Sequence, residues 1–574
     1  MEYRHSLHQT FALPFPPLAQ RLAWGLAATL AAAILLLSWL RLFYGVDLTD
    51  ESFYIVLPYR FALGDLPLRD EQNLAQFGGV LVLPLIRAYL RIFGGTDGIV
   101  LYARHLHLAF TLLTALTVFM ALRRCLNGPE ALLTASVCLV FVPFTIHGLS
   151  YNTLGSGLLT IGCFLALLGL VRQEPRAWAW IMAGLAHGLA ILVYPTLLAF
   201  PVVFVLVCVT WRNMPRRQRC VMFYAAGGLL AALVPAWLVL RAGVESVAGV
   251  AAYLSSFQGQ AGGVAKLQAL ATSFWSDMPH LPWLLGALAA AALWHLLRPW
   301  PLRWVLPALP FVLATYWEQP NGTDSLYFVT AVALAGPFAW LFVRDHTPAT
   351  ALLRLVWLPS FIAGLTTAWS SSNGLPNACI GMFPAALASL ALTQLALARI
   401  GAPAAPAAFA RAALMLAVPL TVLYPLLAGS YADYYGEPVQ RDKLTERVGA
   451  GPYAGLFTTP ERAALLRRFR EEAAPLIRPE DRVLVFNDWP AGYLLAGVRP
   501  GTNSVWLPPA SAKAAVDRRA TLDYWQKTGR RPDVVLLMKS SENTPDPLLS
   551  ILQTQYAPVA DLGIVTLRRL PDAP

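Results

Sequence analysis

Seven acidic residues of this 574-residue chain fall in one short stretch, 45–97: Asp47, Asp50, Glu51, Asp65, Asp70, Glu71 and Asp97. Four of them form two adjacent pairs, Asp50-Glu51 and Asp70-Glu71. Paired carboxylates suit two kinds of chemistry. One carboxylate can take a proton from an attacking hydroxyl as a general base. A pair can also hold a divalent cation through its oxygens. The competing reading is a solvated loop whose acids stand at helix starts, where the helix dipole favours negative charge. Thr49 is placed to cap a helix opening at Asp50-Glu51, with Phe53, Val56, Leu57 and Phe61 on one apolar face. Residues 80–93 form a second apolar stretch, broken by Arg87 and Arg91, which reads as a helix lying in a membrane interface.

The elements that must carry this loop follow from composition. The chain is 57% hydrophobic and only 13% charged, where a soluble domain is about 25% charged. That excludes a soluble globular enzyme and a disordered chain. Residues 1–429 hold 24 Lys+Arg and 15 Asp+Glu, whereas the much shorter 430–574 holds 19 and 17. The expectation is a membrane domain over 1–429 followed by a soluble domain over 430–574. Basic loops beside membrane spans account for the net charge of +11 without nucleic acid.

Apolar runs of span length occur near 22–43, 99–121, 131–147, 151–171, 177–194, 196–211, 220–241, 282–297, 302–317, 326–343, 350–369, 375–398 and 412–429. The predicted fold is therefore a polytopic α-helical membrane protein of about thirteen transmembrane helices. The first run is too long for a signal-peptide core and is taken as an anchor. With the N-terminus in the cytoplasm, Arg123/Arg124, Arg298/Arg303, Arg399/Arg411 and the cluster Arg212, Arg216, Arg217 and Arg219 all lie inside. The loops 45–97 and 242–281 and the C-terminal domain then lie outside. The six cysteines form no CxxC pair and give no metal-site spacing.

The C-terminal domain alternates helix and strand. RVLVF at 482–486 and DVVLLM at 533–538 read as buried strands, with 564–567 as a third and an amphipathic helix over 460–474. This predicts a small extracytoplasmic α/β domain without a phosphate-binding glycine fingerprint. Asn487, Asp488 and Trp489, just after a strand, are its best candidates for ligand contact; a packed turn is the alternative.

The loop motifs, with the many-span plan and the outer C-terminal domain, resemble the GT-C superfamily of glycosyltransferases, in particular the group of protein O-mannosyltransferases and lipid A aminoarabinose transferases. The resemblance is carried by Asp50-Glu51-Ser52-Phe53-Tyr54, by Gly64-Asp65-Leu66-Pro67-Leu68-Arg69-Asp70 and by Leu90-Arg91-Ile92-Phe93-Gly94. Arg104, early in the next span, fits a common family arginine. Two positions depart from the pattern. Gln76-Phe77-Gly78-Gly79 stands where many relatives have an acid followed by Lys-Pro-Pro or His-Pro-Pro. Leu192-Val193-Tyr194-Pro195 stands where many end a span with a lysine that can face the donor phosphate.

The resemblance implies transfer of a hexosyl or pentosyl group from a polyprenyl-phosphate donor to an acceptor hydroxyl on the outer membrane face, with inversion. It implies Asp50 as base, with Glu51 supporting it or orienting the acceptor. Arg60, Arg69, Arg104 and Lys266 are candidates for the donor phosphate, and Asp70 and Glu71 for the acceptor or a divalent cation, the one cofactor expected. His147, Tyr151, Asn152, Tyr194 and Asn373, with Asn321, Asp324, Ser371 and Ser372, gather at outer span ends and suit a sugar pocket. Each alone also reads as a turn or helix-cap residue. His105, His107, His187 and His295 read as interhelical hydrogen-bonding residues.

The expected partners are the lipid-linked sugar, a glycan, lipid or protein acceptor, and membrane lipids, with no nucleic acid. The expected location is a bacterial plasma membrane. A polytopic transporter or flippase, or a non-catalytic assembly subunit, is the alternative function. A transporter tends to place its ionisable groups near the midplane, whereas here they gather at one face. Reporter fusions after residues 123 and 430 are expected to read opposite sides of the membrane; the same side for both would break the thirteen-span plan.

Overall fold

The computed structural model describes residues 17–170, 174–258, 263–276, 278, 285–286, 289, 325–343, 347–371, 373–399, 405–432, 437, 439–507, 512–543 and 545–571. Of the expected spans, 282–297 and 302–317 lie essentially outside these residues, as do His295, Asn321, Asp324 and Ser372.

The first eleven helices are α1 (Pro17–Arg41), α2 (Asp50–Ala62), α3 (Gln76–Phe93), α4 (Ile99–Leu122), α5 (Gly128–Val140), α6 (Tyr151–Gly169), α7 (Ala177–Val193), α8 (Ala199–Thr210), α9 (Arg217–Ala242), α10 (Val244–Gln258) and α11 (Gly263–Ser276). Among the described residues, seven helices are long and apolar enough to cross a membrane: Gln20–Arg41, Gln76–Phe93, Ile99–Leu122, Tyr151–Gly169, Arg217–Ala242, Thr347–Ser370 and Leu375–Ala398. Several expected spans are shorter apolar helices, such as Gly128–Val140 and Ala177–Val193. The stretch expected to lie in the interface starts earlier than the sequence suggested. Its helix α3 begins at Gln76 and reaches 18 residues, so by length and composition it also qualifies as a span.

Local chemistry sets the helix starts that matter for the site. Ser150 opens α6 through a reciprocal cap: its Oγ accepts from the Thr153 N–H at 3.1 Å, and Thr153 Oγ1 accepts from the Ser150 N–H at 2.9 Å. This fixes Tyr151 and Asn152 at the first turn. Asn127 and Glu130 form a similar box on α5. Thr49 does not cap α2 through its side chain, contrary to expectation. Asp47 does so instead: one carboxylate oxygen accepts from the Thr49 N–H and Oγ1, both at 2.7 Å, and the other from the Glu51 N–H at 2.7 Å. A carboxylate two residues upstream reaches more of the orphan amides than a single hydroxyl can.

Helices α7 and α9 cross with almost no side chain between them. A Cβ on Gly184 would lie 1.9 Å from the Tyr224 carbonyl oxygen, and one on Gly227 would lie 1.9 Å from that of Ile181. Only glycine permits this backbone approach. His187 of α7 bonds Tyr224 Oη at 3.0 Å and the Leu159 carbonyl at 3.2 Å, which fits the interhelical role expected of it.

The C-terminal part is built on a five-stranded sheet in the order β4-β3-β5-β7-β6, with β3 (Arg482–Phe486), β4 (Arg499–Pro500), β5 (Val534–Met538), β6 (Ala557–Asp561) and β7 (Val565–Arg569). A separate two-stranded ribbon joins β1 (Glu446–Arg447) and β2 (Phe457–Thr458). β3 runs parallel to β4 and β5, while β7 is antiparallel to both β5 and β6. Leu484, Phe486, Val535 and Leu537 pack one face against Tyr524, Trp525 and Leu552. The alternate residues Val483, Val485, Val534 and Leu536 belong to one continuous core with Val46, Phe53, Ile55 and Val56 of the α2 region. The sheet and the α2 helix therefore share a hydrophobic interior. Gly45 and Phe457 extend the join: the Gly45 N–H donates to the Phe457 carbonyl at 2.9 Å, and the Phe457 N–H to the Phe43 carbonyl at 2.7 Å.

Substitution of Gly227 by leucine is expected to force α7 and α9 apart and lower the thermal midpoint of the detergent-purified protein. An unchanged midpoint would show that the crossing tolerates a side chain.

Candidate active site

The two acidic pairs have opposite fates. Glu51 is buried, and Arg104 grips it in two-pronged fashion, Nε to Oε1 at 2.6 Å and Nη2 to Oε2 at 2.7 Å. Arg104 gives its remaining N–H groups to the carbonyls of Leu42, Tyr44 and Gly45 at 2.6, 3.1 and 2.8 Å. A guanidinium has five N–H donors, and these bonds occupy all of them. Arg104 is therefore not the phosphate contact expected of it.

Asp50, one residue before Glu51, is half-buried. Among the described residues no cation or hydrogen-bond donor reaches its carboxylate. A helix start by itself would favour the ionised form. Burial opposes that, joined by the charges of Asp47 and Asp488, and together they push the carboxyl up to about 7. Asp50 is thus a carboxylate whose proton is exchangeable near neutrality, the property a general base needs.

The second pair, expected to hold a metal, is wired into a buried ionic lattice. Arg60 is fully buried; its Nε meets Asp65 and its Nη1 meets Glu71, each at 2.9 Å, and its Nη2 donates to the Thr502 carbonyl at 2.6 Å. Asp70 takes Arg530 at 2.6 Å and Arg69 at 2.7 Å. Burial opposes the Asp70 charge, but the Arg69 hydrogen bond, the Leu66 N–H, Arg60 and Arg530 outweigh it and hold the carboxyl below its ordinary range. Glu71 also accepts from the N–H groups of Asn73 at 3.0 Å and Val505 at 3.1 Å. Both acids have their oxygens committed to arginines and amides, so they do not fit a metal ion. Arg60 is equally committed and is not a phosphate ligand. Arg69, partly exposed, is held by Asp70.

The expected sugar-pocket residues divide. Tyr151 and Tyr194 do come together beside α2. The Tyr151 ring lies 5.6 Å from that of Tyr54 and 5.2 Å from that of Tyr194. Tyr194 Oη accepts from Asn377 Nδ2 at 2.8 Å. Tyr54 sits near Asp50: burial, then Tyr151, then the Asp50 charge push its phenol well above the ordinary value. Asn152 and Asn377 are buried, each with a side-chain oxygen lacking a hydrogen-bond partner. His147 instead lines a cavity of about 10 Å³ with Asp47, Glu51 and Arg104, room for one water. Asn373 is exposed, its N–H bonded to Ser371 Oγ at 3.1 Å, and is a turn residue. Asn377, four positions on, occupies the place expected of it. Lys266 lies on α11, which packs against the turn Leu375–Asn377 that carries Asn377; among the described residues it makes no ion pair.

The C-terminal part contributes directly. Ala491 N–H donates to the Leu48 carbonyl at 3.1 Å, seating the turn after β3 on the start of α2. Trp506 stacks edge-on against Phe53, with ring centres 4.8 Å apart. The Asp488 charge adds to the rise of Asp50, and burial and the Asp47 charge push Asp488 itself up to about 6. Asn487, by contrast, is held by Arg518 at 2.7 Å and Ser541 at 3.3 Å in a structural network. Of the site groups, sequence reasoning named Tyr54 only within the family motif, missed Asn377 and did not connect Asp488 with Asp50.

No protein-family model and no curated protein matches this chain. Solved structures align with it over most of its length. One is apo ArnT from Cupriavidus metallidurans: 16% identity, 94% of this chain and 97% of that one covered, TM-score 0.48. ArnT bound to undecaprenyl phosphate aligns at 16% identity over 95% and 98%, with a TM-score of 0.45. The archaeal oligosaccharyltransferase AglB from Archaeoglobus fulgidus, in complex with an inhibitory peptide and a dolichol-phosphate, aligns at 15% identity over 95% and 75%, with a TM-score of 0.46. These are distant likenesses, and the chemistry above stands on this chain's own residues.

The ionic lattice generates a stability prediction. Glu71→Ala leaves the Arg60 guanidinium buried without one of its two carboxylates, a change that costs about 3–5 kcal/mol in comparable buried pairs. A large drop in thermal midpoint is expected. A midpoint within a degree or so of wild type would show that the lattice carries no stability.

Proposed function

We propose that this protein is a membrane glycosyltransferase that moves a hexosyl or pentosyl group from a polyprenyl-phosphate donor to an acceptor hydroxyl. The observation that carries the reading is Asp50. Among the described residues it is a half-buried carboxylate with no cation beside it, pushed up to about 7, near the Tyr54–Tyr151–Tyr194 cluster.

In this reading Asp50 takes the proton of the acceptor hydroxyl as its oxygen attacks the anomeric carbon. The bond from that carbon to the phosphate oxygen breaks, the polyprenyl phosphate leaves, and attack from the opposite face inverts the centre. Glu51, neutralised by Arg104, fixes the start of α2 and so aims Asp50. Tyr151, Tyr194, Asn152 and Asn377 offer hydroxyl and amide groups to the sugar. With every Arg104 N–H spent and Arg60 buried between Asp65 and Glu71, Lys266 is the cation proposed for the leaving phosphate. The orientation that fits places the N-terminus in the cytoplasm and residues 430–574 outside, as a distinct domain, in a bacterial plasma membrane. The acceptor is a glycan, a lipid or a protein hydroxyl. No step is routed through a metal.

Asp50→Asn is expected to lower transfer from a polyprenyl-phosphate sugar by about 100-fold or more. Full activity in the folded variant would remove Asp50 as base. In the wild type the rate should rise as pH climbs through about 7, because only the ionised carboxylate accepts a proton. Stability should move the other way. The folded-state value of about 7 lies above the ordinary 3.8, so between these values the native state holds a proton the unfolded chain has lost, and stability falls as pH rises. On the alkaline side Asp50→Asn should therefore melt above wild type while being inactive; a lower midpoint would contradict the buried-charge assignment.

A further inference from the structure

Between α8 and α9, four arginines fall within eight residues: Arg212, Arg216, Arg217 and Arg219. Helix α9 is long and apolar enough to cross a membrane, and its 26 residues span about 39 Å. Leu238, near its last turn, packs with Phe61 and Leu68 of the α2 region. The arginines therefore stand at the opposite end of the helix from the candidate active site. With Met214 and Gln218 they line one open pocket of about 720 Å³. Met214 is buried, whereas the arginines are exposed. Arg217 ties the pocket to the end of α8: its Nη1 donates to the Val209 carbonyl at 2.9 Å.

Among the described residues one acid answers these four cations. Glu174 meets Arg216 Nη1 at 2.7 Å and Arg219 Nη1 at 3.1 Å, while Arg212 and Arg217 have no carboxylate partner. Four guanidiniums against one carboxylate leave an excess of three positive charges. A loop that only sets topology needs charge, and lysine serves it as well as arginine. Here every cation is a guanidinium, whose planar fork matches the oxygens of a phosphate group. Arg216 even takes a left-handed backbone, φ +44°, which glycine adopts without steric cost; its side chain accounts for an arginine there. The flanks of the pocket indicate what carries the phosphate. Two exposed apolar stripes lead away from it, Val202, Leu206 and Val209 on α8 and Met222, Leu229 and Leu233 on α9. A free anion has no use for such flanks, whereas a lipid needs the charge and the apolar faces together. We propose that this pocket binds the phosphate headgroup of an anionic phospholipid, whose acyl chains lie along α8 and α9. Arg212 and Arg217 supply the main contacts. Glu174 holds Arg216 and Arg219 in place and competes with the phosphate for them. The assignment does not depend on Asp50 or on the transfer reaction.

The test uses full-length protein, purified in detergent and stripped of lipid, with bound lipid counted by native mass spectrometry. Dioleoylphosphatidylglycerol should occupy a tight site that dioleoylphosphatidylcholine, with the same acyl chains, does not fill. Arg212→Gln alters an exposed residue without an ion pair among the described residues, so it should fold normally and weaken phosphatidylglycerol by about 5-fold. Adding Arg217→Gln should weaken it further. Glu174→Gln releases two arginines and should tighten it, a gain that misfolding cannot produce. Inorganic phosphate at the lipid's concentration should not displace the lipid. Equal binding of the two lipids overturns the proposal, as does unchanged phosphatidylglycerol binding in the folded double variant. If the double variant does not fold, Arg212→Gln alone decides in the same way. Displacement by inorganic phosphate assigns the pocket to a free anion and overturns the lipid assignment.

Discussion

The geometry of the site hangs on one buried guanidinium. Arg104 enters from α4 and spends every N–H on Glu51 and on the carbonyls that link α1 to α2. A buried arginine without such partners would be prohibitive in cost, so the loop must present those carbonyls and α2 must begin where it does. That single constraint separates two neighbouring acids. Glu51 turns inward and is neutralised, while Asp50, one position earlier on the helix, is left beside the aromatic cluster without a counter-charge among the described residues.

The same economy of cations explains the second pair. Asp65, Asp70 and Glu71 meet Arg60, Arg69 and Arg530 in one lattice, and Asn503 reaches Gln72 at 2.9 Å. Arg60 and Arg69 come from the 45–97 stretch; Arg530 and Asn503 come from the C-terminal part. The lattice is a latch between distant segments; Asp70 is held below its ordinary range, whereas burial raises Glu71 despite Arg60. Two dipeptides of identical composition class thus diverge: in one, arginines neutralise both acids; in the other, only the inner acid is neutralised and the outer one becomes basic.

Much of this was legible in the sequence. Low charge and apolar runs gave a helical membrane part, the β-branched runs gave β3 and β5, and loop position singled out Asp50. Tyr151 and Tyr194 were named from their places at span ends and do converge. What stayed hidden is partner choice over long separations. Nothing local says that Arg104 is consumed by carbonyls at 42, 44 and 45, or that Arg60 belongs to Asp65 and Glu71, so both looked available for phosphate. Asn373 and Asn377 lie four residues apart, and only the hydrogen bond to Tyr194 distinguishes the buried asparagine from the exposed turn residue. The Asp47 cap was missed because a side chain one hydroxyl closer, Thr49, satisfies the usual pattern equally well. Asp488 was visible as a residue after a strand, but its neighbours on α2 are set by docking of the sheet.

The core shared by α2 and the sheet has a consequence for the order of events during synthesis. Residues Glu51 to Phe61 are all buried, and part of what covers them comes from β3, β5 and Trp506. The ribosome delivers those segments more than 400 residues after α2. Membrane helices that emerge early can insert and pair, but α2 must wait with an apolar flank uncovered until those strands arrive. The surroundings of α2 are therefore assembled only after β3, Trp506 and β5 have been made, and a copy truncated before them carries Asp50 without that cover.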